Sequence, residues 1–296
     1  MVNKSDEDTI VYVNGNFVKK SLAYISVYDS GFMHGDGVYE GIRVYQGKVF
    51  MLGEHIKRLF ESAKTIDIDI GITQEEMKKI VIDLVKANKI RDNIHIRLMI
   101  TRGRKRVSGM NPRFNIGKAS IVVLYDYKPP IYSKSGVKLI TSTLRRAAPY
   151  FLDSKIHHMN QLNQIMASIE ANRQGADEAI MLDINGFVAE TNGTTIFMVK
   201  DGIFYTPTID YILVGITRKH LIELAKEKGY KVIERNISIS EFYNADEVFI
   251  CGTVGEVIPV SEIDGKKIGE KVPGKYVNWL INEHKKLTSK MGTPAE

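Results

Sequence analysis

The chain has 296 residues, 44% hydrophobic and 26% charged, a balance that allows one large core or two modest ones and excludes a disordered chain. Its net charge of +6 comes from scattered lysines and arginines, with Arg104-Lys105-Arg106 the only tight basic cluster, which reads as a solvated loop and argues against a nucleic-acid-binding protein. The single cysteine, Cys251, excludes an intrachain disulfide, residues 1–8 lack the apolar core of a signal peptide, and no run approaches the roughly 20 apolar residues of a membrane helix, so the expected setting is a reducing cytoplasm with no membrane partner.

Residues 10–52 read as strand, turn, strand, twice over. Ile10 to Val13 and Phe17-Val18 flank Asn14-Gly15, while residues 42–45 and 49–52 flank Gln46-Gly47-Lys48, which predicts two antiparallel hairpins. A helix is expected from about Glu54. A second begins after Thr73, where Thr73 and Glu76 have capping-box spacing and Met77, Ile80, Val81, Leu84 and Val85 recur on one face. Strands near 94–101 and 119–125 close this block. Residues 128–136 carry two prolines, serines and a glycine and read as a linker, so the expected domains are 1–127 and 137–296.

The second block mixes elements. Residues 137–144 are strand-like, and Leu162, Ile165, Met166 and Ile169 form a helical stripe ending near Gly175. Strands follow at 179–182, 187–190, 195–199 and 203–205, then a helix from Thr217 that ends at Gly229, a strand at 248–250, a turn at Asp264-Gly265 and a helix around 276–284. There is no internal repeat and no regular strand–helix alternation, and the glycines of Gly35-Asp36-Gly37-Val38-Tyr39-Glu40-Gly41 miss the dinucleotide-binding spacing. Three pieces of this block carry chemistry together: Lys155, Glu190 just past the Asn185-Gly186 turn, and the helix start Gly215-Ile216-Thr217-Arg218. A lysine that can form a Schiff base, a carboxylate that can pair with a ring nitrogen and a helix N-terminus that can hold a phosphate are what pyridoxal phosphate requires of a protein. No spaced Cys, His, Asp or Glu set suggests a metal.

Six motifs carry a family resemblance: Gly35-Asp36-Gly37-Val38-Tyr39-Glu40-Gly41-Ile42-Arg43, Glu54-His55-Ile56-Lys57-Arg58-Leu59, Gly175-Ala176-Asp177-Glu178-Ala179, Val188-Ala189-Glu190-Thr191-Asn192, Gly215-Ile216-Thr217-Arg218 and Ala245-Asp246-Glu247-Val248-Phe249. In this order the chain resembles the branched-chain and D-amino acid aminotransferase superfamily, the fold-type IV (class IV) pyridoxal phosphate enzymes. The resemblance implies an α+β, two-domain fold, with a smaller N-terminal antiparallel-sheet domain and a larger C-terminal domain of sheets in a pseudo-barrel with helices. It also implies a homodimer and pyridoxal 5'-phosphate as cofactor.

The same resemblance implies residue roles. Arg58 matches the arginine that reaches the cofactor phosphate, where a guanidinium fork suits a dianion. Ile216 and Thr217 match residues at a helix start that bind the same phosphate, although Thr217 taken alone is simply a good N-terminal helix residue. Thr253 matches a further phosphate ligand, and the turn through Val254 and Gly255 matches one that offers amides to a substrate carboxylate. Glu190 matches the acid that keeps the pyridine nitrogen protonated.

Lys155 is the expected catalytic lysine. Many relatives place that lysine three residues before an asparagine that opens a helix, and counting back from Asn160 reaches His157; the alternatives are Lys155 with a longer spacer or a lysine lost to histidine. His34, Tyr39 and Arg97 are expected near the substrate. The implied reaction is amino transfer between a branched-chain or other apolar L-amino acid and 2-oxoglutarate. A D-amino acid or R-amine transaminase, an aminodeoxychorismate lyase-type enzyme, or a silent cofactor-binding homologue stay open as alternatives.

Overall fold

Asn14 and Gly15 both take positive φ, 47° and 97°, the geometry a two-residue hairpin turn demands. In the computed structural model, which describes residues 8–129 and 135–295, that turn joins β1 (Ile10–Val13) to β2 (Asn16–Lys19). The chain continues through α1 (Ser30–His34), β3 (Gly37–Tyr45), β4 (Lys48–Val49), α2 (Leu52–Thr65), α3 (Gln74–Ala87), β5 (Ile94–Thr101), β6 (Ser120–Tyr127), β7 (Val137–Arg145), α4 (Pro149–Leu152) and α5 (Leu162–Arg173). It then runs through β8 (Glu178–Leu182), β9 (Val188–Thr191), β10 (Thr195–Lys200), β11 (Ile203–Thr206), α6 (Ile216–Glu227), β12 (Val232–Glu234), α7 (Ile239–Tyr243), β13 (Glu247–Gly252), β14 (Glu256–Ile263), β15 (Lys266–Lys267), α8 (Lys275–Lys290) and β16 (Thr293–Pro294). This mixture of helices and sheets is the expected α+β class.

The chain forms two compact units. One comprises Met1–Pro129, Ile156–Asn160 and Thr288–Glu296; the other comprises Pro130–Lys155 and Gln161–Leu287. The division therefore differs from a single cut at 128–136, and residues 130–134 of that expected linker lie outside the described residues. Two later segments return to the first unit because backbone pairing draws them there. The Tyr39 amide donates to the His157 carbonyl at 2.9 Å and the Met159 amide to the Gly37 carbonyl at 2.8 Å, while β16 pairs with β4. Gly37 is required for this approach, since a Cβ there would lie 2.7 Å from Met159 Sδ and 2.5 Å from the Ile100 carbonyl oxygen.

The first unit holds a seven-stranded sheet in the order β16-β4-β3-β5-β6-β1-β2. Its long central pair, β3 and β5, runs antiparallel from Gly37 opposite Thr101 to Val44 opposite Ile94. Ile42, Val44, Ile96 and Leu98 from the sheet, Ile56 and Leu59 from α2, and Met77 and Leu84 from α3 are buried in one cluster. The strand expected over 49–52 is cut short at Val49, because Met51 turns into the left-handed region at φ 48° and α2 starts at Leu52. At α3 the capping box is complete: Thr73 Oγ1 accepts from the Glu76 amide at 3.2 Å, and Glu76 Oε2 accepts from the Thr73 amide at 2.7 Å. Thr73→Ala is therefore expected to cost about 1 kcal/mol, read as a lower urea midpoint with an unchanged slope; an unmoved midpoint would show that the box contributes nothing.

The second unit holds a nine-stranded sheet, β12-β11-β10-β13-β14-β7-β8-β9 with β15 on β14. β7 lies parallel to both β14 and β8, and Ile180, Ile196, Ile250 and Ile258 are among its buried core. Helix α5 forms where expected but turns the other way. Ala167 and Ala171 are fully buried, whereas Leu162, Ile165, Met166 and Ile169 are 63%, 52%, 46% and 42% exposed. The apolar stripe that marked the helix in sequence is thus its outer face, and small alanines form the inner one.

Candidate active site

Two groups of buried ionisable side chains stand out, one in each unit. In the first, Glu40 on β3 is completely buried. His55 and Arg58 lie three residues apart on α2, so both project from one side of that helix. Arg58 Nε donates to Glu40 Oε1 and Arg58 Nη2 to Oε2, each at 2.7 Å, and His55 Nδ1 lies 2.7 Å from Oε2. A further partner is His157, whose Nδ1 is 3.2 Å from Oε1. Its backbone is held on both sides, by the Tyr39 amide and by its own amide donating to Ser62 Oγ at 3.2 Å. The ring packs on Tyr39 with 4.0 Å between centroids, and the Arg97 guanidinium lies 3.9 Å from the centre of the Tyr39 ring.

These contacts shift the ionisation of the groups that make them. Burial pushes the Glu40 carboxyl up, but the neighbouring His157 and Arg58, with their hydrogen bonds, hold it well below the usual carboxylate range. Burial lowers the proton affinity of His157 against the pull of Glu40. An ionised carboxylate only accepts, so the Nδ1 atoms of His55 and His157 both carry hydrogen. Burial likewise pushes the Tyr39 hydroxyl up, partly offset by Arg97.

In the second unit the buried acid is Glu190 on β9. Strand register explains its partner: Met181 on β8 pairs with Glu190, and the Arg146 amide, just past β7, donates to the carbonyl of Leu182, the next residue along β8. Arg146 and Glu190 thus flank one strand from either side, and Arg146 Nη2 meets Glu190 Oε1 at 2.5 Å, both side chains more than nine-tenths buried. Burial raises the proton affinity of Glu190; Arg146, the Leu213 amide and Arg218 oppose that rise. Leu213 is two residues before Gly215, the N-cap of α6, where no side chain caps the helix start. The amides of that first turn, with the buried Thr217 among them, make a site suited to an anion.

Of the other expected residues, Ile216 opens α6 and Thr253, Val254 and Gly255 form the tight turn between β13 and β14. His34 ends α1, exposed, with Nε2 3.2 Å from the Gly109 carbonyl oxygen. Lys155 is exposed in a turn after α4, and its amide donates to Asp153 Oδ1 at 2.9 Å. Glu40 and Arg146 are the residues that sequence reasoning passed over as functional. Glu40 had a signal, its place in an otherwise apolar strand motif, whereas Arg146 becomes meaningful only through the β7–β8–β9 register. Among the described residues no group could hold a metal ion, and no helix is long and apolar enough to cross a membrane.

Comparison with known proteins bears on both groups. The family model described as amino-transferase class IV matches residues 37–263. The branched-chain-amino-acid aminotransferase-like protein 2 of Arabidopsis thaliana is 48% identical over 286 residues, covering 96% of this chain and 51% of that protein, so the chain spans about half the length of that relative. The branched-chain-amino-acid aminotransferase of Pseudomonas aeruginosa is 34% identical and covers 97% of this chain and 95% of its own length. Among solved structures, the branched-chain aminotransferase of the thermophilic archaeon Thermoproteus uzoniensis with norvaline superposes with a TM-score of 0.88 at 32% identity, covering 95% of this chain and 94% of that one.

Proposed function

Since the chain belongs to the class IV aminotransferase family, enzymes whose cofactor is pyridoxal phosphate, we propose that it moves an amino group between an apolar, branched-chain L-amino acid and 2-oxoglutarate. The observation that carries this reading is the buried Glu190–Arg146 pair beside the uncapped start of α6. A buried carboxylate held by a guanidinium and an anion-binding helix end are two fixtures that suit a phosphorylated pyridine ring. Glu190 would hold the ring nitrogen, and Ile216, Thr217 and Thr253 the phosphate, with Arg58 a further phosphate ligand. Arg97, stacked on Tyr39, keeps its planar fork fixed and suits the second carboxylate of a dicarboxylate acceptor; His34 and the amides at Val254 and Gly255 complete the proposed substrate contacts.

When bound, the cofactor supplies the electron sink for breaking the substrate Cα–H bond and carries the amino group. The chain's own work is electrostatic. Arg146 holds Glu190 in one orientation, so its carboxylate is aimed before any ligand arrives, and low polarity around the pair strengthens its hydrogen bond to a protonated ring nitrogen. The exposed stripe Leu162, Ile165, Met166 and Ile169 in the second unit supports a homodimer, since a contiguous apolar face of that kind is normally covered.

The test is a scan of amino donors. Leucine, isoleucine and valine with 2-oxoglutarate are expected to give glutamate, whereas D-alanine is expected to be inert. Transfer confined to D-donors, or pyruvate release from aminodeoxychorismate without an acceptor, would overturn the reading.

A further inference from the structure

His95 and Arg97 are two residues apart on β5 and so project from one face of the first unit's sheet. Register places Arg43 of β3 opposite His95 and Gly41 opposite Arg97. Both β5 side chains lean the same way by one position of that face. The Arg97 guanidinium lies 3.9 Å from the centre of the Tyr39 ring, and the His95 ring lies over Gly41, where a Cβ would come within 2.9 Å of Nε2. Glycine at position 41 is what makes room for the imidazole, which ends up beside a guanidinium fixed by stacking. The charge around this imidazole is one-sided. His95 is buried, and the groups acting on it are three cations, Lys128 just past β6, Arg43 from β3 and Arg97 from its own strand, against one carboxylate, Asp126 opposite it on β6. Asp126 is itself shared with Lys20, whose Nζ is 2.9 Å away. Burial, and then these cations, push His95 down to about 4, so its ring is neutral at neutral pH. An anion is the electrostatic complement of such a face, and its arrival would reverse the balance that keeps the ring neutral.

We propose that the second carboxylate of a dicarboxylate acceptor is held between Arg97 and His95, and that His95 takes up one proton from solvent as this carboxylate arrives. The inference rests on the proposed function and deepens its contact between Arg97 and the acceptor; the residues it uses all belong to the first unit. The proton adds to the ring nitrogen that lacks one, the imidazolium donates a charge-assisted hydrogen bond to the carboxylate, and the proton returns to solvent when the acid leaves. No other bond changes. His95 is then a specificity-determining residue: an oxo acid with a single carboxylate brings no second charge to this face and draws no proton.

Two measurements on the full chain test it, with 2-oxoglutarate and 2-oxobutanoate as probes at matched ionic strength. In proton–carbon spectra of histidine-labelled protein, the His95 signal is identified by its loss in His95→Asn or His95→Gln. Free, or with 2-oxobutanoate, His95 is expected to stay neutral down to about pH 4, whereas saturating 2-oxoglutarate is expected to raise its titration midpoint by about one to three pH units, the usual effect of an adjacent opposite charge. Calorimetry at pH 5.5 in two buffers of different ionisation heat is expected to show proton uptake with 2-oxoglutarate in the wild type and none in His95→Asn. By the same linkage the wild type should bind 2-oxoglutarate about threefold or more tightly at pH 5.5 than at pH 7.5, and the variant should change by less than about twofold. If 2-oxoglutarate binds with the His95 midpoint unmoved, or if 2-oxobutanoate moves it equally, this inference is overturned and the proposed function stands. Absence of any 2-oxoglutarate binding overturns both.

Discussion

Arg58→Ala is expected to destabilise the chain by about 3–5 kcal/mol at pH 8, the usual cost of removing one partner from a buried ion pair. Glu40 is fully buried and Arg58 nearly so, and the guanidinium donates two hydrogen bonds to that carboxylate, one to each oxygen. Without it, the anion must find charge in His157, which in the variant keeps the Glu40 carboxylate that raises its proton affinity and loses the Arg58 cation that lowers it. A His157 proton bound more tightly folded than unfolded contributes stability that is fully present below the unfolded histidine value of about 6.5 and is lost as pH rises through the folded one. The loss should therefore be smaller at pH 6 than at pH 8, as read by urea unfolding at both. Under the proposed function the variant should also retain cofactor poorly, with inorganic phosphate displacing it more readily than from the parent. A loss below about 1 kcal/mol, or one independent of pH, would show that Glu40 does not depend on Arg58.

Glu190→Gln should produce the second large effect, and two readouts separate its causes. It removes the charge opposite Arg146, whose side chain is 6% exposed, so stability should fall by about 3–5 kcal/mol. It also removes the acid proposed for the ring nitrogen, so the single-turnover amine half-reaction should slow by on the order of 10²-fold or more. The double variant Glu190→Gln, Arg146→Met relieves the stranded cation. It is expected to recover much of the stability and none of the rate. If the double variant regains the rate, Glu190 acts only as a counterion; if the single variant keeps a parental half-reaction, the proposed role of Glu190 is wrong.

Local physics was legible in the sequence. The Asn14-Gly15 turn, the Thr73 capping box and the β5 strand follow from nearest-neighbour rules, because turn φ angles, cap hydrogen bonds and side-chain alternation are set within a few residues. The motifs around Glu190 and Gly215 also identified, from sequence, residues that fold into one neighbourhood, through the Leu213 amide. What only the tertiary structure decided is partnership over long separations. That Glu40 gathers Arg58, His55 and His157, that Arg146 faces Glu190 across β8, and that α5 shows its large apolar residues outward all depend on strand order and register. Sequence spacing alone left two alternatives, Lys155 with a longer spacer or a lysine lost to histidine at position 157, since spacing does not fix how the chain runs between them. Their surroundings differ: the Lys155 side chain is exposed, whereas His157 is held against a carboxylate withdrawn from water, where hydrogen bonds must be satisfied and so fix a single geometry.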